Sequence, residues 1–303
     1  MIIPTLNCAR QLEECLRSIR SQSYSGKVNV IIVDGGSSDD TVAVGKRWGG
    51  QVRVMPGVYS TGLDGARNLA LSFQSSPLTW QVDADNVVQG ENVLSSLVAP
   101  FLSVNGLQVS APVCWPDPGL PAFDRYLAYR ERAKLLEAGA RSEWVAGWRV
   151  CSDLPYGITN CSLIRTDLLR EVGGYDSDMR VWERARAAGR SKGCVMPDVH
   201  YLHFTGGYLG AWIRKQSSRS VKFSRFSEES LERYLHPQSR THLPILGMAL
   251  DTLWQPFWGA KLWFADPRAA MYSVAVPVAS LGMVATSPLT TYKLLRGFFG
   301  RGV

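Results

Sequence analysis

Asp83 and Asp85, one residue apart, follow the largely apolar run 78–82 (Leu-Thr-Trp-Gln-Val). Read as a strand, residues 79–83 end with both acids at the C-terminal tip, where open α/β sheets bind their ligands. Divalent cations such as Mg²⁺ prefer carboxylate oxygens and usually share their coordination shell with substrate phosphates. The chemistry this spacing suggests is therefore a metal-bridged diphosphate. An isolated Asp-x-Asp more often caps a helix or turns the chain, so its neighbours decide its meaning.

The elements that would position these acids alternate through the first hundred residues. Ile2-Ile3 leads into Pro4-Thr5-Leu6-Asn7, and Leu12, Cys15, Leu16 and Ile19 then recur at helical spacing up to the break at Gly26. Residues 28–33 form an apolar run expected of a buried strand, ending at Asp34-Gly35-Gly36-Ser37-Ser38-Asp39-Asp40. A helix through Thr41, Val44 and Trp48, a strand over 52–55 and a helix over 66–73 bring the chain to the Asp83 strand. This β-α-β-α-β-α-β order implies a parallel sheet with right-handed crossovers. The turn after the second strand lacks the G-x-G-x-x-G spacing of dinucleotide sites, and its three acids would repel a pyrophosphate. A strand-tip aspartate is better suited to a base N–H or a ribose hydroxyl, so Asp34 is expected to read the nucleoside while Asp83 and Asp85 hold metal and diphosphate. Asp39 or Asp40 is expected at a helix N-terminus, stabilised by the dipole.

Composition narrows the class. With 303 residues, 46% of them hydrophobic and 19% charged, the chain is a folded protein and not a disordered one. Its net charge of +7 favours anionic partners without choosing among them. Six scattered cysteines without a C-x-x-C pair speak against a zinc site or a disulfide scaffold. No basic region followed by an apolar stretch marks a leader, and Met1 stands inside an expected strand, so a start codon slightly upstream is expected.

Taken in order, Ile2-Ile3-Pro4-Thr5-Leu6-Asn7, the segment Ile31-Ile32-Val33-Asp34-Gly35-Gly36-Ser37-Ser38-Asp39-Asp40-Thr41, Gly65-Ala66-Arg67-Asn68 and Asp83-Ala84-Asp85 resemble the family 2 glycosyltransferases of GT-A fold. The resemblance implies a Rossmann-like α/β fold, a mostly parallel sheet flanked by helices, and a metal-dependent inverting transfer from a nucleoside-diphosphate sugar. It places Pro4, Thr5 and Asp34 around the base and ribose and Arg67 near the nucleotide. Asp83 and Asp85 would bind Mn²⁺ or Mg²⁺ with the diphosphate. Arg67 has a plainer reading as a partner of the strand-tip acids. The stretches 156–165 and 168–176 also match, in the region that builds the family's acceptor pocket, which makes Asn160 an acceptor-side candidate. Trp144, Trp148 and Tyr156 could stack on a sugar or a lipid tail, or simply pack.

Inverting transfer needs a carboxylate to take the proton of the attacking hydroxyl. The family's base position falls on Asp178, although Ser177 stands where a glutamate is usual, and Glu183 one turn on is the competing residue. His203 is the candidate third metal ligand by the same resemblance. Gln216-Ser217-Ser218-Arg219 lacks the tryptophan of processive members, since Ser220 follows, and Arg214, Lys215, Arg219, Lys222 and Arg225 form a basic run that could equally be a solvated helix face.

Residues 243–264 carry only Asp251 and Lys261 as charges, and residues 269–292 carry none over a length that could cross a bilayer. With Asp266-Pro267-Arg268 read as a turn and Lys293, Arg296 and Arg301 following, a membrane-associated hairpin on the cytoplasmic side is expected. The expected organisation is thus a catalytic domain over 1–226, with a nucleotide half to about 110 and an acceptor half over 111–226, and C-terminal hydrophobic helices over 227–303. The expected partners are a nucleoside-diphosphate sugar, a glycan or lipid-linked acceptor and the membrane, not nucleic acid. The competing readings are a non-catalytic nucleotide-sugar or glycan-binding protein, suggested by Ser177, and a sugar-phosphate nucleotidylyltransferase. The latter lacks support, because Pro4-Thr5-Leu6-Asn7 offers no Gly-rich triphosphate loop.

Overall fold

Side chains alternate across a strand, and Ile2 and Ile3 show the consequence. Ile2 joins Ile31 and Val33 in one apolar cluster with Ala66, Ala70 and Leu71, whereas Ile3 and Ile32 join another with Leu12, Cys15, Leu16 and Val44. The computed structural model, which describes residues 1–140, 142–152, 160–175, 178–206, 210, 262 and 264–275, accordingly covers both faces of the first strands with helices. Strands β1 (Ile2–Thr5), β2 (Ile31–Asp34) and β3 (Gln51–Val54) pair in parallel in that order. Helix α1 (Ala9–Arg20) and α2 (Thr41–Arg47) belong to the second cluster, α3 (Leu63–Ser72) to the first. The sequence placed β2 from residue 28, yet Val28 is exposed and the ladder begins at Ile31.

A second sheet runs β4-β9-β6-β10-β8-β7, with β5 also on β10. Its strands are β4 (Leu78–Trp80), β5 (Asn86–Gln89), β6 (Val109–Cys114), β7 (Glu143–Val145), β8 (Trp148–Cys151), β9 (Leu163–Arg165) and β10 (Gly193–His203). The two sheets meet through a parallel bridge between Ile2 and Gln81. β6 and β10 are parallel, and the remaining ladders of this half are antiparallel. The parallel arrangement expected of the first half therefore stands, and the antiparallel ladders are additions of the second half. Helices α4 (Val93–Ser103), α5 (Ala122–Ala140), α6 (Thr166–Glu171) and α7 (Asp178–Ala187) complete this part of the chain.

Two compact units result, one of Met1–Trp115 with Ala128–Phe204, the other of Pro116–Leu127 with Thr205–Val303. In the second, the rings of Phe123 and Tyr126 pack on Tyr272 with centroids 5.0 and 6.2 Å apart. Asp266-Pro267-Arg268, expected as a turn, instead starts helix α8 (Pro267–Ala270). Asp266 accepts from the Ala269 amide at 3.1 Å and Pro267 occupies a first-turn position where a missing N–H costs nothing. The Arg125 guanidinium pairs with Asp266 and, with that cap, holds its carboxyl below the usual range. Among the described residues no helix is long and apolar enough to cross a membrane. The candidates Tyr156 and Ser177, the basic run 214–225 and most of the apolar C-terminal stretch lie outside the described residues.

Candidate donor and metal site

The first wall of the site is the pair of loops after β1 and β2. Asp34 is fully buried, and its four acceptor positions are filled. One oxygen takes the Gly36 and Ser37 amides at 3.0 and 2.8 Å, the other the Thr5 and Ser37 hydroxyls at 3.0 and 2.5 Å. Gly36 adopts φ 93°, a conformation that only glycine takes readily. Asp34 and Thr5 thus shape the loop that would face a nucleoside, and Pro4, paired to Val33 in the ladder, sits immediately behind them. Asn7, at φ 49°, ties the two loops together by accepting from the Ser38 amide at 2.8 Å. Asp39 takes the helix-terminal role expected of it, and at two helices, accepting from the first amide of α1 and of α2, each at 3.1 Å. Those contacts, led by the Thr41 hydroxyl, lower its pKa.

Tyr59 was not singled out by the sequence. It lies in a 3-10 turn (Val58–Thr61) against Gly35, where a Cβ would come within 2.4 Å of its ring. Burial pushes its phenol up, and the Cys8 thiol, Asp83 and Asp34 push in the same direction against Arg67. A neutral hydroxyl held among these groups is a donor for an anionic ligand. A lone tyrosine in a loop has no periodicity to betray it.

The acids occupy a tight turn. Beyond β4 the chain continues through Gln81 to Asp83, whose amide donates to the Asn86 side chain at 3.0 Å while the Asn86 amide returns to the Asp83 carbonyl at 3.0 Å. That exchange reverses the chain into β5, which pairs antiparallel with the end of β10 so that Asn86 faces His203. The Phe204 amide donates to the Asp85 carbonyl at 2.9 Å. Asp85 and His203 are thereby brought together, with a His203 ring nitrogen 3.5 Å from the Asp85 carboxylate. Burial opposes charge on His203, but Asp85, with Glu131 and Asp83 adding to it, raises its pKa to about 9. Glu131 comes from α5 and accepts from the buried Tyr201 hydroxyl.

Asp83 points elsewhere. Its two oxygens accept from Arg67 at 3.1 and 3.3 Å, and Arg67, 2% exposed, also approaches Asp64 at 3.7 Å. Both readings of Arg67 fit this geometry, because a buried guanidinium that balances Asp83 also lies where an incoming phosphate would compete for it. Among the described residues no group of three metal-ligating side chains converges. Asp85 and His203 supply one oxygen and one nitrogen donor, a set that suits Mn²⁺ better than Mg²⁺ and leaves further positions for diphosphate oxygens.

Of the acceptor-side candidates, Asn160 lies just before β9, next to Cys161. The next residue, Cys161, accepts from the Trp80 indole at 2.8 Å and sets its thiol 3.4 Å from Asn86. Trp148 is not brought there. Its indole donates to Ser103 at 3.0 Å, and β8 pairs with the opposite end of β10 through Val150 and Cys194. Cys194 lies nine residues from His203 along the strand, on the order of 30 Å for a straight one. Trp144, 70% exposed, stacks under Arg149 on the same hairpin. Asp178 is the first residue of α7, its side chain lying outside what the structure describes, and the half-buried Glu183 lies further along that helix.

Residues 1–117 match the model of glycosyl transferase family 2. Glycosyltransferase GlyG of Streptococcus pneumoniae is 28% identical over 100 residues, 32% of this chain and 33% of that protein. An N-acetylglucosaminyltransferase of Bradyrhizobium elkanii is 33% identical over 104 residues, 33% of this chain and 57% of that one. The chain is thus matched over a third to rather more than half of these relatives' lengths. Among solved structures, mannosyltransferase PcManGT from Pyrobaculum calidifontis, in complex with GDP-Man and Mn²⁺, superposes with a TM-score of 0.56 at 19% identity. That superposition covers 99% of this chain and 86% of the other, and shows a common fold.

Proposed function

We propose, from the match of residues 1–117 to the model of glycosyl transferase family 2, that this protein is a metal-dependent inverting glycosyltransferase using a nucleoside-diphosphate sugar. The observation that carries this reading is the meeting of His203 with Asp85, which stands two residues along the chain from the Arg67–Asp83 pair, together with Thr5 and Asp34 hydrogen-bonded to each other at the C-terminal ends of β1 and β2. The PcManGT complex with GDP-Man and Mn²⁺ lends support by its shared fold.

In this reading the Asp34 loop and Tyr59 receive the nucleoside, and Arg67 exchanges part of its pairing with Asp83 for the donor's phosphate. Asp85 and His203 would hold Mn²⁺ or Mg²⁺, which would supply neutralisation of charge on the departing diphosphate. The acceptor hydroxyl attacks the anomeric carbon on the face opposite the leaving group. Asp178 takes its proton as the new C–O bond forms, the bond to the diphosphate breaks, and the nucleoside diphosphate departs with the electron pair.

We place the acceptor among lipid-linked or cell-surface glycan precursors, with the enzyme on the cytoplasmic face of the membrane. Phe264, Met271 and Val274, which are 94, 62 and 49% exposed, stand beside an uncharged stretch and favour a lipid surface. The full chain should float with anionic vesicles, and Phe264→Asp with Met271→Asp should weaken that binding by about tenfold or more. Equal flotation by the double variant would remove this face from the account.

A thermal-shift titration tests the donor site. Neither Mn²⁺ nor nucleoside diphosphate alone should stabilise the fold much, since the protein offers the ion two donors. Together, at about 100 times their Kd, they should contribute about 2.7 kcal/mol by mass action, with Mn²⁺ exceeding Mg²⁺. Equal shifts with and without the ion would count against the site.

A further inference from the structure

The motif Gly65-Ala66-Arg67-Asn68 supplies one residue that donor binding does not use. Asn68 spends both ends of its side-chain amide on the backbone of one residue, Tyr175. Its NH₂ donates to the Tyr175 carbonyl at 2.6 Å, and its oxygen accepts from the Tyr175 amide at 2.7 Å. The turn it holds is backbone-specialised. Gly173 and Gly174 have φ of 80° and 75°, and a Cβ on Gly174 would lie 2.4 Å from the Asn68 oxygen. The Gly174 amide closes the end of α6 on the Leu169 carbonyl at 2.7 Å, and Arg184, reaching back from α7, donates to the Gly174 carbonyl at 2.9 Å. Tyr175 itself is 2% exposed, with the Arg67 guanidinium 5.7 Å from its ring centre.

One short turn is therefore gripped by the helix that carries Arg67 and by the helix that Asp178 begins. Val181, Trp182 and Ala185 of α7 share an apolar cluster with Ala66, Ala70 and Leu71 of α3, but apolar packing leaves sliding and rotation of a helix loosely fixed. Two directional hydrogen bonds to the N–H and C=O of a single residue do not. We infer that Asn68 is a positioning residue for sugar transfer, fixing the Gly173-Gly174-Tyr175 turn and with it the start of α7 relative to the donor's metal end. The inference rests on the proposed function, with Asp178 as base. Misplacing a reacting group by about 1 Å costs on the order of 100-fold in rate.

The test compares Asn68→Ala and Asn68→Asp with the wild type in three measurements: kcat for transfer, affinity for nucleoside diphosphate with Mn²⁺, and hydrogen exchange of the Tyr175 and 181–185 amides. Asn68→Ala should lower kcat by roughly 30- to 100-fold, keep donor affinity within about threefold and raise exchange at those amides, with β1 and β2 unaffected. Asn68→Asp keeps the acceptor for the Tyr175 amide but sets a carboxylate against its carbonyl. Its deficit relative to wild type should narrow as the pH is lowered and the carboxyl regains a proton to donate. A loss of stability caused by the carboxylate would follow the same trend, so kcat is taken per folded molecule, with the folded fraction read by circular dichroism at each pH, and this variant decides the matter if Asn68→Ala does not fold. Unchanged kcat, unchanged exchange, or donor affinity falling in step with kcat would overturn the inference. Failure of the proposed function looks different, because the wild type would then release no nucleoside diphosphate while the exchange measurement still reports on the clamp.

Discussion

Asp85→Ala is expected to reduce sugar transfer by about 1,000-fold or more while leaving the fold intact. Asp85 and His203 are the two protein donors that meet at the proposed ion site, so removing the carboxylate halves the protein's hold on the ion and removes its anionic ligand. Charge stabilisation of a leaving group by a bound ion amounts to several kcal/mol, and about 4 kcal/mol corresponds to three powers of ten in rate. The backbone turn should survive because the Asp85 carbonyl, which accepts from the Phe204 amide, is kept by alanine, and among the side-chain contacts given up is the pairing with His203. Asp83→Ala would be harder to interpret. It leaves Arg67, 2% exposed, with Asp64 at 3.7 Å, so stability and activity would fall together. Transfer by Asp85→Ala within about tenfold of wild type would mean that the ion is held elsewhere.

Asp178→Asn is the second large effect. The substitution keeps size and the start of α7 and removes only the ability to accept a proton. General-base catalysis contributes about 100- to 10,000-fold, and turnover should fall by that factor. Donor affinity should not change, because the proposed donor contacts lie on Thr5, Asp34, Arg67 and Asp85. Glu183→Gln, one turn along the same helix, should stay within about threefold of wild type. A large loss at Glu183 with undiminished transfer by Asp178→Asn would move the base one turn along α7.

The first half of the fold was legible because its signals are local. Ile2-Ile3 and Ile31-Ile32-Val33 are apolar runs at strand length, the helices between them carry apolar residues at three- and four-residue spacing, and each acid of interest sits where such a run ends. The second half hides its elements. The β7–β8 hairpin turns on Ala146-Gly147, with φ of 50° and 85°, and an alanine in the left-handed region gives none of the warning that Asn-Gly would. Its tryptophans therefore read as residues that could stack on a ligand or simply pack, and not as members of a hairpin. β10 contains Pro197, which argues against a strand, yet a register shift between Met196 and His200 accommodates it, and the strand runs on to His203. That continuation brings His203 to Asp85, a contact no spacing in the sequence encodes, although the resemblance had pointed to the residue. The bond set of Asn68 was invisible for the same reason, with 107 residues separating it from Tyr175.

The central claim is that this chain transfers sugar from a nucleotide donor in a metal-dependent manner. It is tested most directly by following nucleoside diphosphate release when the full-length protein is given uridine- and guanosine-diphosphate sugars, Mn²⁺ and a lipid-linked glycan fraction. At least one donor should yield nucleoside diphosphate together with a glycosylated product, EDTA should stop the reaction, and added Mn²⁺ should restore it. Tight donor binding without release under Mn²⁺, or release indifferent to EDTA, would contradict the claim.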